Sequence, residues 1–153
     1  MRYTFDGSNT AHMRFSLILV VLILLSCESD DDRVQNPFLV DISFQIELNT
    51  NLPQYSSLNF ANNAVIENSI GLKGVVIYRN ANDQYFAYEL SDPNHSPNDC
   101  SRMTLNGSIL TCPCSNDENQ YELNLGLPTS GGGEYGLKRY RASRTGDVVI
   151  VSN

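Results

Sequence analysis

Apolar and polar residues alternate over residues 40–49: Val40, Ile42, Phe44, Ile46 and Leu48 are apolar, and Asp41, Ser43, Gln45, Glu47 and Asn49 between them are polar. A period of two puts the two sets on opposite faces of an extended segment, so this stretch predicts a half-buried strand. Val75-Val76-Ile77-Tyr78 and Tyr85-Phe86-Ala87-Tyr88 flank the polar Asn80-Ala81-Asn82-Asp83, which predicts a hairpin of β-branched and aromatic strands. A second hairpin is expected at Met103-Thr104-Leu105 and Ser108-Ile109-Leu110, with Asn106-Gly107 supplying the two positive φ angles of a type I′ turn. In a third, Tyr140 and Ala142 lead to Arg144-Thr145-Gly146-Asp147, and Val148-Val149-Ile150-Val151 returns. No window sustains a helical apolar pattern, and Gly, Asn and Pro break the chain roughly every eight to twelve residues. The expected fold class is therefore all-β, a small sandwich or barrel.

The first thirty residues follow a different pattern. Phe15 to Leu25 are apolar apart from Ser16, a run well short of the roughly 20 residues that span a bilayer, and Arg14 precedes it. This reads as a signal-peptide core, with Met13 as an alternative start. Leu24-Leu25-Ser26-Cys27 resembles the bacterial lipobox, in which the Cys is lipidated before cleavage. The resemblance implies a signal peptide over residues 1–26, a lipid on Cys27, an acidic tether over residues 27–37 and a β domain over residues 38–153. The implied location is the bacterial cell envelope, on the periplasmic face or the cell surface, with the membrane as partner through Cys27. Glu28-Ser29-Asp30-Asp31-Asp32 is similar to the surface-export signal of Bacteroidetes-type lipoproteins.

The whole chain carries a net charge of −7 over 153 residues, and loss of residues 1–26, with Arg2, Arg14 and Asp6, makes the mature chain one unit more acidic. Such a chain repels phosphate backbones and anionic lipid surfaces, so nucleic acid is excluded as a partner. Length and composition fit one globular domain.

Three loops remain, at 91–100, 112–120 and 128–133. The first holds Asp92-Pro93-Asn94-His95, the second Cys112-Pro113-Cys114-Ser115, and the hairpin at Asn106-Gly107 lies between them. With Ile109-Leu110 before the second box, Tyr121-Glu122-Leu123 after it, then Pro128-Thr129-Ser130-Gly131 and Leu137-Lys138-Arg139-Tyr140, this layout resembles the Rieske iron–sulfur domain. In that family two loops at one tip of a small β fold hold a [2Fe-2S] cluster through Cys-x-His and Cys-x-x-His, one iron taking two Cys and the other two His. The resemblance places His95 and Cys112 on retained ligand positions. Asp92 or Pro93 stands where the first Cys belongs, Ser115 where the second His belongs, and Asn116 replaces the Gly that follows it. It also implies a disulfide between Cys100 and Cys114, in the places that staple the two cluster loops in respiratory-type members, and this leaves Cys112 free.

The resulting expectation is a lipoprotein that has lost its cluster, carries no cofactor and is not an enzyme. It would serve as a disulfide-stapled module for an envelope protein or small ligand. The alternative is an electron-transfer protein with a [2Fe-2S] cluster on a non-standard ligand set. Nothing supports cysteine-protease chemistry at Cys112, because no residue is spaced to orient His95 as a base. Gly131-Gly132-Gly133 lacks the Lys-Ser/Thr and helix of a phosphate cradle and reads as a flexible loop.

Overall fold

Residues 36–115 and 117–153 are described in a computed structural model. The signal-peptide and lipid-anchor readings, most of the tether and Asn116 lie outside the described residues. The described chain is all-β: β1 (Gln45–Asn49), β2 (Asn63–Glu67), β3 (Val75–Arg79), β4 (Tyr85–Glu89), β5 (Thr104–Asn106), β6 (Ile109–Thr111), β7 (Gln120–Glu122), β8 (Leu127–Ser130), β9 (Arg139–Thr145) and β10 (Val148–Ser152), with one 3-10 turn at Ser56–Asn59. Six strands form one antiparallel sheet in the order β1-β10-β9-β4-β3-β2, and four form a second in the order β5-β6-β7-β8.

The unbroken apolar runs at β3 and β4 have a direct cause, since these two strands are covered on both faces. Val75, Ile77, Tyr85 and Ala87 point to one side, where they meet Leu48, Val65, Tyr140, Val149, Val151 and Leu58. Side chains from all six strands of the larger sheet thus share one core, so that sheet curls around it. Val76, Tyr78, Phe86 and Tyr88 point to the other side and pack on the smaller sheet through Leu110, Tyr121, Leu123 and Cys112.

The strand expected over residues 40–49 is shorter than its pattern. Ile42 and Phe44 are half-buried and Asp41 and Ser43 exposed, as alternation requires, but the ladder begins at Gln45, opposite Ser152. Before it, Asn153 donates to Phe44 O and Ile42 O, and Lys138 Nζ donates to Leu39 O and Val40 O. The expected turn at Asn106-Gly107 also differs. Asn106 pairs with Ile109 inside the ladder, and the two-residue connection is Gly107-Ser108. Only Gly107, at φ 61, is left-handed, which is the type II′ pattern. The Gly-rich loop is shorter than read from sequence, because residues 127–130 form β8. Pro128 is tolerated there because β8 is an edge strand.

Candidate functional site

The two loops joining β4 to β5 and β6 to β7 lie together at one end of the smaller sheet. The first is closed at its base by a bridge between Ser91 and Arg102, by Asp92 N donating to Ser101 O at 2.9 Å, and by Met103 N donating to Leu90 O at 2.8 Å. In the second, Cys112 N donates to Asn119 O at 3.0 Å. A disulfide between Cys100 and Cys114 ties one loop to the other, with Cα atoms 5.1 Å apart. Cys112 is the free, buried thiol between them. The pairing is the one the family resemblance implies.

His95 leans over that thiol. Its Nδ1 lies 3.1 Å from Ser96 O, and since a carbonyl only accepts, Nδ1 carries the proton. Its Nε2 is 3.4 Å from Cys112 Sγ, 3.8 Å from Cys114 Sγ and 3.2 Å from Asp117 Oδ2. Beneath lies Asp92, fully buried. Its carboxylate accepts from Asn94 N at 2.7 Å, Tyr121 OH at 3.0 Å and Asn119 Nδ2 at 3.3 Å, all neutral donors. No ion pair among the described residues involves it.

Burial pushes the Cys112 thiol up to about 12, and the nearby charges of Asp92 and Asp117 push the same way. The Tyr121 hydroxyl is also raised, first by burial and then by Asp92 and Asp117. The His95–Cys112 distance would suit a nucleophile and its base, but a buried thiol beside two carboxylates is the reverse of an activated one. Because the raised value keeps the thiol neutral, its contribution to stability is complete below about pH 9 and is lost as pH rises toward about 12. In the metal-free chain, alkylation of Cys112 near neutral pH should run about a thousandfold slower than that of an unperturbed thiol, from ionisation alone. Iodoacetamide labelling before and after unfolding measures this.

The third loop covers the site from the side. Asn94 Nδ2 donates to Tyr121 OH and to Tyr135 O, both at 2.8 Å, and Asn94 Oδ1 accepts from Tyr135 N at 2.8 Å. A Cβ at Gly133 would stand 2.7 Å from Asn94 Nδ2. One at Gly131, where φ is +83°, would stand 2.7 Å from the Asn119 backbone. These glycines therefore serve close backbone approach to the site loops, not a phosphate. Asn36, at the end of the tether, donates from Nδ2 to Pro93 O at 2.7 Å.

Of the residues singled out from sequence, His95, Cys112, Asp92 and the disulfide converge, while Pro93 is buried without a donor side chain and Ser115 is exposed. Sequence reasoning missed Asp117, Asn94, Asn119 and Tyr121. A [2Fe-2S] cluster of Rieske type needs two thiolates and two imidazoles. Here Cys100 and Cys114 are bonded to each other, leaving Cys112 as the one thiol and His95 as the one imidazole among the described residues. The residues present do not fit that cluster.

No protein-family model and no curated protein sequence matches the chain. Among solved structures it is similar to a chain from the complex of reduced oxygenase and oxidized ferredoxin in carbazole 1,9a-dioxygenase, at 18% identity and a TM-score of 0.47, over 74% of this chain and 94% of that one. It is also similar to the E. coli protein NirD, at 20% identity and a TM-score of 0.43, over 73% of this chain and 98% of that one.

Proposed function

We propose that this chain is a lipid-anchored envelope protein whose β domain is a Rieske-type domain without its iron–sulfur cluster, acting as a disulfide-stapled binding or structural module. The observation that carries the reading is the donor count: with Cys100 and Cys114 bonded to each other, Cys112 is the one thiol and His95 the one imidazole among the described residues. The bond ties the two site loops together, as in the respiratory-type members the sequence resembles, while two of the four ligands such a cluster needs are missing. An oxidising compartment outside the cytoplasm, as the Leu-Leu-Ser-Cys27 motif implies, is where such a bond persists. An open groove of about 450 Å³ shares Asn94 and Asp117 with the site and is also lined by Phe38, Glu118, Glu134 and Tyr135. That groove is where a small ligand or a side chain of an envelope partner would seat. The alternative, electron transfer through a cluster on non-standard ligands, would have to supply the missing thiolate and imidazole from residues such as Asp92.

Mass mapping of the purified full chain, alkylated during lysis, tests this. The expected result is an intact Cys100–Cys114 peptide pair with Cys112 unpaired, and palmitate incorporation that Cys27→Ala abolishes. A Cys100–Cys112 bond, or three reduced cysteines, contradicts the module reading, and unchanged labelling in Cys27→Ala contradicts the anchor.

A further inference from the structure

The contacts around His95 bring four side chains with metal-ligand atoms to one place. His95 Nδ1 faces Ser96 O at 3.1 Å, which turns Nε2 toward Asp117 Oδ2 at 3.2 Å. Cys112 Sγ stands 3.4 Å from the same nitrogen, and Asp92, fully buried with only neutral donors, completes the group. Donor atoms from Asp92, His95, Cys112 and Asp117 all lie within 4.8 Å of one another.

We propose that His95 Nε2, Cys112 Sγ, Asp117 and Asp92 form a mononuclear site for a divalent metal of the zinc class. In a tetrahedron with Zn–N and Zn–O near 2.0 Å and Zn–S near 2.3 Å, neighbouring donors stand roughly 3.3–3.6 Å apart. The His95–Asp117 and His95–Cys112 separations of 3.2 and 3.4 Å are close to those edges. One thiolate, one imidazole and two carboxylates are a borderline donor set, which suits zinc better than a hard ion such as magnesium or a sulfide-bridged iron pair. The Nδ1–H to carbonyl bond is the outer support that orients a metal-binding imidazole, and Asn94, Asn119 and Tyr121 do the same for Asp92. Cys114 Sγ also lies near His95, but it is bonded to Cys100 and is not a ligand. On binding, Cys112 releases its proton to solvent and its sulfur takes the metal.

This site goes beyond the proposed function but rests on its disulfide, which leaves one thiol rather than three. Cobalt(II) is the probe, titrated into the full chain purified in detergent and stripped with chelator. One cobalt per chain should bind, with a sulfur-to-cobalt charge-transfer band that zinc bleaches. Asp117→Asn should weaken binding at least about tenfold, as loss of a supporting group already does elsewhere. Cys112→Ser should lose the band, and far-ultraviolet circular dichroism shows whether each variant is folded. Should Cys112→Ser fail to fold, the part-exposed Asp117 still decides. No cobalt binding, cobalt bound without the band, or Asp117→Asn binding like the parent would each overturn the site. A colourless chain that binds no cobalt fails here alone, whereas a brown chain with two irons fails the proposed function as well.

Discussion

Glu89→Ala is expected to cost about 4 kcal/mol or more, a large share of the 5–15 kcal/mol typical of a domain. Glu89 ends β4 fully buried, and its carboxylate accepts from Leu72 N at 2.7 Å, Lys73 N at 2.9 Å, Ser91 N at 3.0 Å and Tyr140 OH at 2.8 Å. Four donors are thereby satisfied by one side chain. Gly71, at φ +77°, lets the chain pass so near that a Cβ there would lie 2.6 Å from Glu89 Oε2. Removing the carboxylate strands each donor at roughly 1–3 kcal/mol, less than additively because they share one site. Glu89→Gln keeps one carbonyl acceptor and should lose markedly less. Urea midpoints for the two variants check the ranking; an alanine variant as stable as the parent would mean that water replaces the whole network. Because Ser91 opens the first site loop, the alanine variant should also loosen His95.

Breaking the staple is the second large effect. Cys100 and Cys114 are 14 residues apart, and a bridge closing a loop of that size is worth about 3 kcal/mol in the chain-entropy treatment. The double variant Cys100→Ser, Cys114→Ser should therefore melt roughly 10 °C lower. Reductant should shift the parent by a similar amount and leave the double variant unchanged. Equal melting of parent and double variant would show that the loops are held by Asn94, Asn119 and Tyr121 rather than by sulfur.

Glu89 and the Cys100–Cys114 bond differ in how legible they are from sequence. The strands were readable because burial on one face writes a period of two, as at 42–48, and burial on both faces writes an unbroken run, as at β3 and β4. The shortfalls followed from pairing, which sequence does not record: β1 starts where Ser152 becomes available, and Asn106 joins a ladder that leaves Gly107-Ser108 to turn. β2 and β8 were missed because Asn63-Ala64-Val65-Ile66-Glu67 and Leu127-Pro128-Thr129-Ser130 are too short and mixed to show a period. At the site, the disulfide was legible only through the family's loop spacing, and with it the positions of His95 and Cys112. Asp117 sits in the polar run Asp117-Glu118-Asn119, where nothing local separates a ligand from a solvated loop. Asn94 and Tyr121 act across 27 residues, and Asn94 and Tyr135 across 41, so their roles exist only after folding. Glu89 reads as the polar end of a strand; the four donors around it come from two other segments and from Ser91.

The reading that the sulfurs of this domain are committed to a staple, with no cluster, meets its most direct test in iron and acid-labile sulfide analysis. The full chain would be purified from cells without air or reconstitution, and its visible spectrum recorded alongside. The expected result is a colourless protein without stoichiometric iron or sulfide, whether or not zinc is bound. A brown protein with two irons and two sulfides per chain, its colour bleached by dithionite, would contradict it.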